Sequence, residues 1–334
     1  FLKFLKKSNN QYKNNLLWVF FSFKIQIFTV RTIVMLKNLY LIFLSLFFIS
    51  ASNADIKNTA LSKTSEKVSS FVSNIIPGNG ITEVSIDFND EATSNPNNLL
   101  IDLEILGVRD ILPKENSNLF TQFSLRADEN SESKTMIGNL GLGYRFLNSD
   151  KSMMFGVNSF YDQDFHEDHR RASLGLEAKA SILDFTFNQY QKLTNQKIID
   201  GVKQQVLSGT EYNIASQIPY MPWTTFNFQG YKWENEKALQ DSKGNIYSIE
   251  MALAPSLQFD LSRDNSSVNG AEDEDSAKII FIYPPQEKKP SLQDGFVSSE
   301  AFVKENVEDK LRDKVRRNNN LTVEIQGAVI VTRK

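Results

Sequence analysis

His166-Glu-Asp-His169 places two imidazoles and two carboxylates within four residues. Such a set can hold a divalent metal if the loop folds back on itself. Nothing in the surrounding Asp162 to Arg171 fixes that loop, so a solvated hairpin tip is expected. The same histidines are the candidate bases for a hydrolase, but no nucleophile or activating partner can be named beside them. Glu272-Asp-Glu-Asp275 can attract calcium. A run of four carboxylates in a loop is more often solvated charge. Arg145, Glu177, Lys179 and Glu250 fall on polar faces of alternating segments, where they either line a pore or satisfy one another. Gly138, Gly141 and Gly143 lie inside a strand pattern, where they relieve crowding in a curved sheet and form no phosphate loop. No catalytic, cofactor-binding or metal-ligating residue is assigned. No cofactor is expected, and neither is enzymatic activity.

Composition narrows the field further. The 334 residues include no cysteine, which removes disulfide frameworks, zinc knuckles, iron–sulfur clusters and thiol nucleophiles. Two histidines exclude three-histidine ligand sets, and 37 Lys+Arg against 40 Asp+Glu give a net charge of -3, unsuited to coating nucleic acid. The length allows two domains or one large all-β barrel. A hydrophobic share of 41% looks like a soluble protein. It is equally the average of a transmembrane barrel, whose strands alternate polar and apolar residues.

Positioning elements begin after a targeting segment. Met35 to Ala54 carries Lys37, an apolar core from Leu39 to Ile49 and the small or polar end Ser52-Asn53-Ala54, the secretory signal pattern with cleavage after Ala54. Its apolar core is shorter than the roughly 20 residues of a membrane-spanning helix. Residues 1–34, which begin with Phe1, read as upstream sequence translated in frame, with Met35 as the start. In Ile56 to Ile76, Leu61, Val68, Phe71, Val72 and Ile75 share one helical face before Pro77-Gly78, giving a short helix expected in the periplasm, within 55–80.

From Ile81 to Tyr283 the period is two. Leu140, Leu142, Tyr144 and Phe146 alternate with Asn139, Gly141, Gly143 and Arg145, and the same alternation recurs around Leu174, Phe226, Tyr247 and Leu257. Twelve runs are strand-like, and many reach the 9 to 11 residues that a tilted strand needs to cross a bilayer. Polar loops such as Asn89 to Asn97, Thr194 to Ser208 and Asn235 to Gly244 follow the odd runs. Tight links such as Ile182, Pro219 to Pro222 and Pro255-Ser256 follow the even ones, with Val108 to Asn118 as a longer exception. Long loops at one end, short turns at the other and an even strand count form the outer-membrane barrel pattern.

Five motifs in order then resemble the β-domain of inverse autotransporters, the intimin and invasin family: Gly80-Ile-Thr-Glu-Val-Ser-Ile-Asp-Phe88, Asn139-Leu-Gly-Leu-Gly-Tyr-Arg145, Gly156-Val-Asn-Ser-Phe-Tyr-Asp-Gln-Asp164, Arg170-Arg-Ala-Ser-Leu-Gly-Leu-Glu177 and Arg317-Asn-Asn-Asn-Leu-Thr-Val-Glu324. Ser173 departs from the family's usual Gly, and Tyr231 to Trp233 keeps traces of its aromatic run. The resemblance implies an all-β, twelve-stranded antiparallel transmembrane barrel over 81–284. It also implies an N-terminus in the periplasm and a C-terminal segment, 285–334, that returns through the lumen to display a passenger outside.

Within that segment Val303, Val307, Leu311 and Val315 form an i, i+4 stripe over Ser298 to Arg317, with Lys314, Arg316 and Arg317 suited to a helix C-terminus. A helix in or under the lumen is expected there, followed by Leu321 to Thr332 as an extended stretch long enough to thread the core. Expected partners are outer-membrane lipids and lipopolysaccharide, the barrel assembly machinery and periplasmic chaperones, and no nucleic acid. Because the sequence stops at Lys334, a host or neighbouring-cell receptor would be met only through a passenger beyond it. The alternative from another class is a solo outer-membrane barrel serving as a narrow porin or rim hydrolase.

Overall fold

The computed structural model describes residues 78–89, 101–129, 134–199, 201–236, 238, 240–267, 273–325 and 328–330. Two compact units divide the chain, Phe1–Lys67 and Val68–Lys334, and every described residue belongs to the second. The expected helix over Ile56 to Ile76 lies outside the described residues, as does the signal segment.

The strands are β1 (Gly80–Asn89), β2 (Ile101–Lys114), β3 (Ser117–Glu129), β4 (Lys134–Leu147), β5 (Met154–Asp164), β6 (Arg170–Lys179), β7 (Leu183–Lys192), β8 (Lys197–Ile199), β9 (Val202–Val206), β10 (Ser208–Ile218), β11 (Met221–Glu234), β12 (Ser242–Ala254), β13 (Leu257–Ser266), β14 (Glu274–Tyr283), β15 (Val323–Ile325) and β16 (Ala328–Ile330). Twelve of them close into an antiparallel barrel, β1-β14-β13-β12-β11-β10-β7-β6-β5-β4-β3-β2. The last strand zips onto the first from Thr82 opposite Tyr283 to Asn89 opposite Ser276. Closure leaves no barrel edge to seek a partner.

The faces are inverted relative to a water-soluble protein. Leu140, Leu142, Leu174 and Leu176 are 60%, 58%, 67% and 56% exposed, whereas Arg145, Asp162, Arg171 and Lys179 on the inner face are at most 1% exposed. An apolar outer band around a polar interior is what a bilayer demands of a closed sheet, because every backbone group is satisfied within the ladder. Among the described residues no helix is long and apolar enough to cross a membrane.

The structure revises two connections. Val108 to Asn118 is no long link, since β2 and β3 run on through it to a two-residue turn at Glu115-Asn116, with a register shift between Asp110 and Leu112. The bulge absorbs the extra residue, and Pro113 near the strand end is tolerated. Thr194 to Ser208 is likewise more than a loop, because it folds into the hairpin β8–β9.

Candidate functional site in the barrel lumen

After β14 the chain turns beneath the short-turn end. A short 3-10 turn, Leu292–Asp294, is closed by Asp294, whose carboxylate accepts from the Ser291 amide and hydroxyl at 2.8 and 2.9 Å. The next stretch seats itself on the β10–β11 turn. The Tyr220 amide donates to the Ala301 carbonyl, the Ser298 amide to the Tyr220 carbonyl, and the Trp223 indole to the Phe296 carbonyl. The Val303 amide then donates to Gln217 Oε1 at 2.8 Å.

From Lys310 the chain climbs through the lumen, bound to the wall at nearly every residue. Lys310 pairs with Asp184 at 2.7 Å, Arg312 with Asp110 at 2.8 Å and Lys314 with Glu83 at 2.6 Å. Asp313 takes Lys289 at 2.8 Å and Lys179 at 3.4 Å. The Val315 amide donates to Gln122 Oε1, and Arg316 forks onto Glu250. Arg317 reaches Asp162 at 2.7 Å, sharing it with Arg171 at 2.9 Å. The Asn318 amide donates to Tyr190 Oη and Glu211 Oε1, while its carbonyl accepts from Arg171. Asn139 donates to the Asn319 carbonyl, and the Asn319 amide group reaches Glu104. These partners come from β1 through β7, β10 and β12, so the wall grips the segment from around the barrel.

Buried charges persist only when paired and hydrogen-bonded. That requirement explains the motif residues. Gly143 and Gly141 leave room on the inner wall for the Phe120 and Phe160 rings, since a Cβ there would stand 2.3 and 2.4 Å from ring atoms. Each ring in turn supports a guanidinium, Arg145 over Phe120 and Arg317 over Phe160, both at 4.2 Å from the centroid. Desolvated cation–π stacks of this kind contribute about 2 kcal/mol. Arg145 also forks onto Glu177 and donates to the Leu311 and Asp313 carbonyls. Gly141→Ala and Gly143→Ala should each cost about 1–3 kcal/mol by displacing the ring. Urea unfolding of the lipid-reconstituted barrel checks this, and wild-type stability in both variants would refute the stacking role.

These contacts correct the helix expected over Ser298 to Arg317. Its one helical element is the 3-10 turn Asp309–Arg312. The stripe is divided between clusters instead, with Val307 and Leu311 against Leu147 and Met154, and Val315 against Leu106, Val108, Phe120 and Phe160. The Leu311 and Asp313 carbonyls, which a helix would consume, accept instead from Arg145, and Leu311 also from Asn118, so tertiary partners outcompete local hydrogen bonds. Lys314, Arg316 and Arg317 serve carboxylates of the wall rather than a helix dipole. Threading is done before Leu321, and Leu321 to Ile325 lies at the long-loop end. There the Leu207 amide donates to the Thr322 carbonyl and β15 joins β9, giving a four-stranded sheet β16-β15-β9-β8. Glu324 accepts from the Glu236 and Ala238 amides, tying in the β11–β12 loop.

Arg145, Glu177, Lys179 and Glu250 are lumen residues that satisfy one another and the threaded segment. The His166–His169 loop is held, contrary to expectation. Asp164 caps the His166 and Glu167 amides, and Lys197 of β8 donates to the Glu167 and Asp168 carbonyls. His169 is fully buried, and burial lowers its pKa. Among the described residues no group of three His, Asp or Glu could hold a metal ion. Asp275 forms a bidentate pair with Arg263, while Glu272 lies outside the described residues. Beneath the threaded segment a cavity of about 160 Å³ is lined by acids and bases together, including Glu83, Lys179, Asp184, Glu250 and Lys310. Sequence reasoning missed the aromatic platforms Phe120, Phe160, Tyr190 and Trp233. Their signal is a large aromatic at an inward position of a polar lumen.

Residues 49–319 match the family model described as inverse autotransporter, beta-domain. The chain belongs to this family. It is 25% identical over 225 residues to the inverse autotransporter adhesin YeeJ of Escherichia coli (strain K12), covering 64% of this chain and 9% of that protein. It is 24% identical over 152 residues to invasin of Yersinia enterocolitica, covering 45% of this chain and 18% of that protein. The match thus spans less than a fifth of either relative. A solved chain from work on the in-meso crystallization of membrane proteins superposes with a TM-score of 0.59 at 17% identity, covering 74% of this chain and all of that one. That likeness supports the barrel fold. Family and fold together make this an outer-membrane β-barrel domain of the inverse autotransporter type, and the family points to a non-enzymatic role.

Proposed function

We propose that the chain anchors and translocates an intimin/invasin-like adhesin, displaying a C-terminal passenger at the cell surface for cell adhesion. The short turns face the periplasm and the long loops face outward, the usual disposition of such barrels. The observation that carries this reading is the continuous track of wall contacts from Lys310 to Asn319, followed by the docking of β15 on β9. Residues 35–54 serve as the signal peptide and 55–80 as a periplasmic segment. The barrel assembly machinery and periplasmic chaperones deliver it, and receptor contact belongs to the passenger.

An epitope tag after Lys334 should be reached by antibody on intact cells, and one inserted after Asp55 should not. N-terminal sequencing of the same membrane-isolated protein should begin at Asp55. Labelling of the Lys334 tag only after permeabilising the outer membrane would place that end in the periplasm and leave a solo barrel.

A further inference from the structure

The outer face of β10, β11 and β12 carries a charged feature that the lumen leaves unused. Lys232 and Lys243 are direct register partners at the long-loop end, both exposed. Like charges opposed across a ladder destabilise it unless an anion bridges them. Lys232 has Asp241 at 2.8 Å, and Glu234 is exposed two residues further along β11. Among the described residues no carboxylate pairs with Lys243.

Directly below, toward the middle of the apolar band, lies an aromatic shelf. Tyr212 lies across Gly230, where a Cβ would meet the ring at 2.5 Å, and Tyr212 packs on Phe228 at 5.9 Å. Phe228 continues onto Tyr247 at 5.4 Å. Two ammonium groups above an apolar shelf of mutually tilted rings, on a surface continuous with the lipid-facing band, fit an amphiphile with a phosphorylated head. Lysine binds phosphate as a point charge, and two of them flank one anion well.

We propose that Lys232 and Lys243 bind a phosphate of an acylated glycolipid of the outer leaflet, with the chemistry of lipid A, while its acyl chains lie on Tyr212, Phe228 and Tyr247. The site rests on the orientation proposed above, which sets the long-loop end in the outer leaflet. It would fix the rotation and depth of β10–β12 beside the loop that holds Glu324.

Native mass spectrometry of the full chain in detergent, titrated with bisphosphorylated lipid A, dephosphorylated lipid A or inorganic phosphate, tests it. Bisphosphorylated lipid A should give a one-to-one adduct, and the Lys232→Gln, Lys243→Gln double variant should weaken it about tenfold or more, as expected for two charge-assisted contacts. The Lys232→Arg, Lys243→Arg variant should retain it, and Lys288→Gln at the other end should leave it unchanged. Equal binding by the glutamine variant or by dephosphorylated lipid A would overturn the assignment. Competition by inorganic phosphate at similar concentration would make it a phosphate site and overturn the lipid one. Because detergent binding does not depend on which end faces outward, inverted tags in cells and a missing adduct are separate failures.

Discussion

Asp162→Ala is expected to lower the unfolding free energy of the lipid-reconstituted barrel by about 3–5 kcal/mol, the cost of leaving buried charge without its partner. Asp162 holds both Arg171 and Arg317, and all three side chains are fully buried. Removing it takes the carboxylate partner from two buried guanidinium groups at once, leaving them their stacks on Tyr190 and Phe160 and hydrogen bonds to Asn318, Asn319 and Ser173. Arg317→Met should cost less, because Asp162 keeps Arg171. Urea titration in vesicles measures both. A loss in Asp162→Ala no larger than in Arg317→Met would mean that the carboxylate is not the shared hub.

Leu176→Arg carries the second large effect, on the opposite face. Leu176 points into the apolar band, and an arginine near the bilayer midplane costs about 2–4 kcal/mol on a transmembrane barrel. Gln229→Arg is the control, because Gln229 faces the lumen and donates to Glu211, a carboxylate able to accept a guanidinium. It should be nearly neutral in the same folding assay. Equal tolerance at the two positions would show that the faces are assigned wrongly.

Much of this arrangement was legible in the residues. Alternation around Leu140 and Leu174 marks the outer face, and the polar positions Arg145, Glu177, Lys179 and Glu250 between apolar ones are lumen groups in the structure. The strand count follows from the alternating runs, because strand lengths and turns are local properties. What was not legible depends on distant partners. The stripe Val307, Leu311, Val315 has helical spacing, yet each residue finds a different wall cluster and the carbonyls between them find wall donors. Hairpin β8–β9 is polar enough to read as loop, and β9 is built into a larger sheet by pairing with β15, more than a hundred residues later. His169 likewise looked solvated because nothing nearby in sequence announces that Lys197 and Gln204 close over its loop.

The passage of the segment through the lumen to the long-loop end is tested most directly by a disulfide between Val206→Cys and Val323→Cys. These residues are register partners on β9 and β15, and the chain has no native cysteine to compete. Opposed residues of an antiparallel pair have Cα atoms about 4.5–5.5 Å apart, within the span a disulfide bridges. Oxidation of outer membranes carrying the double variant should yield the cross-linked peptide by mass spectrometry, in a barrel that still migrates as folded. A folded barrel in which both cysteines take up a thiol label separately, and no cross-link forms, would contradict the threaded lumen.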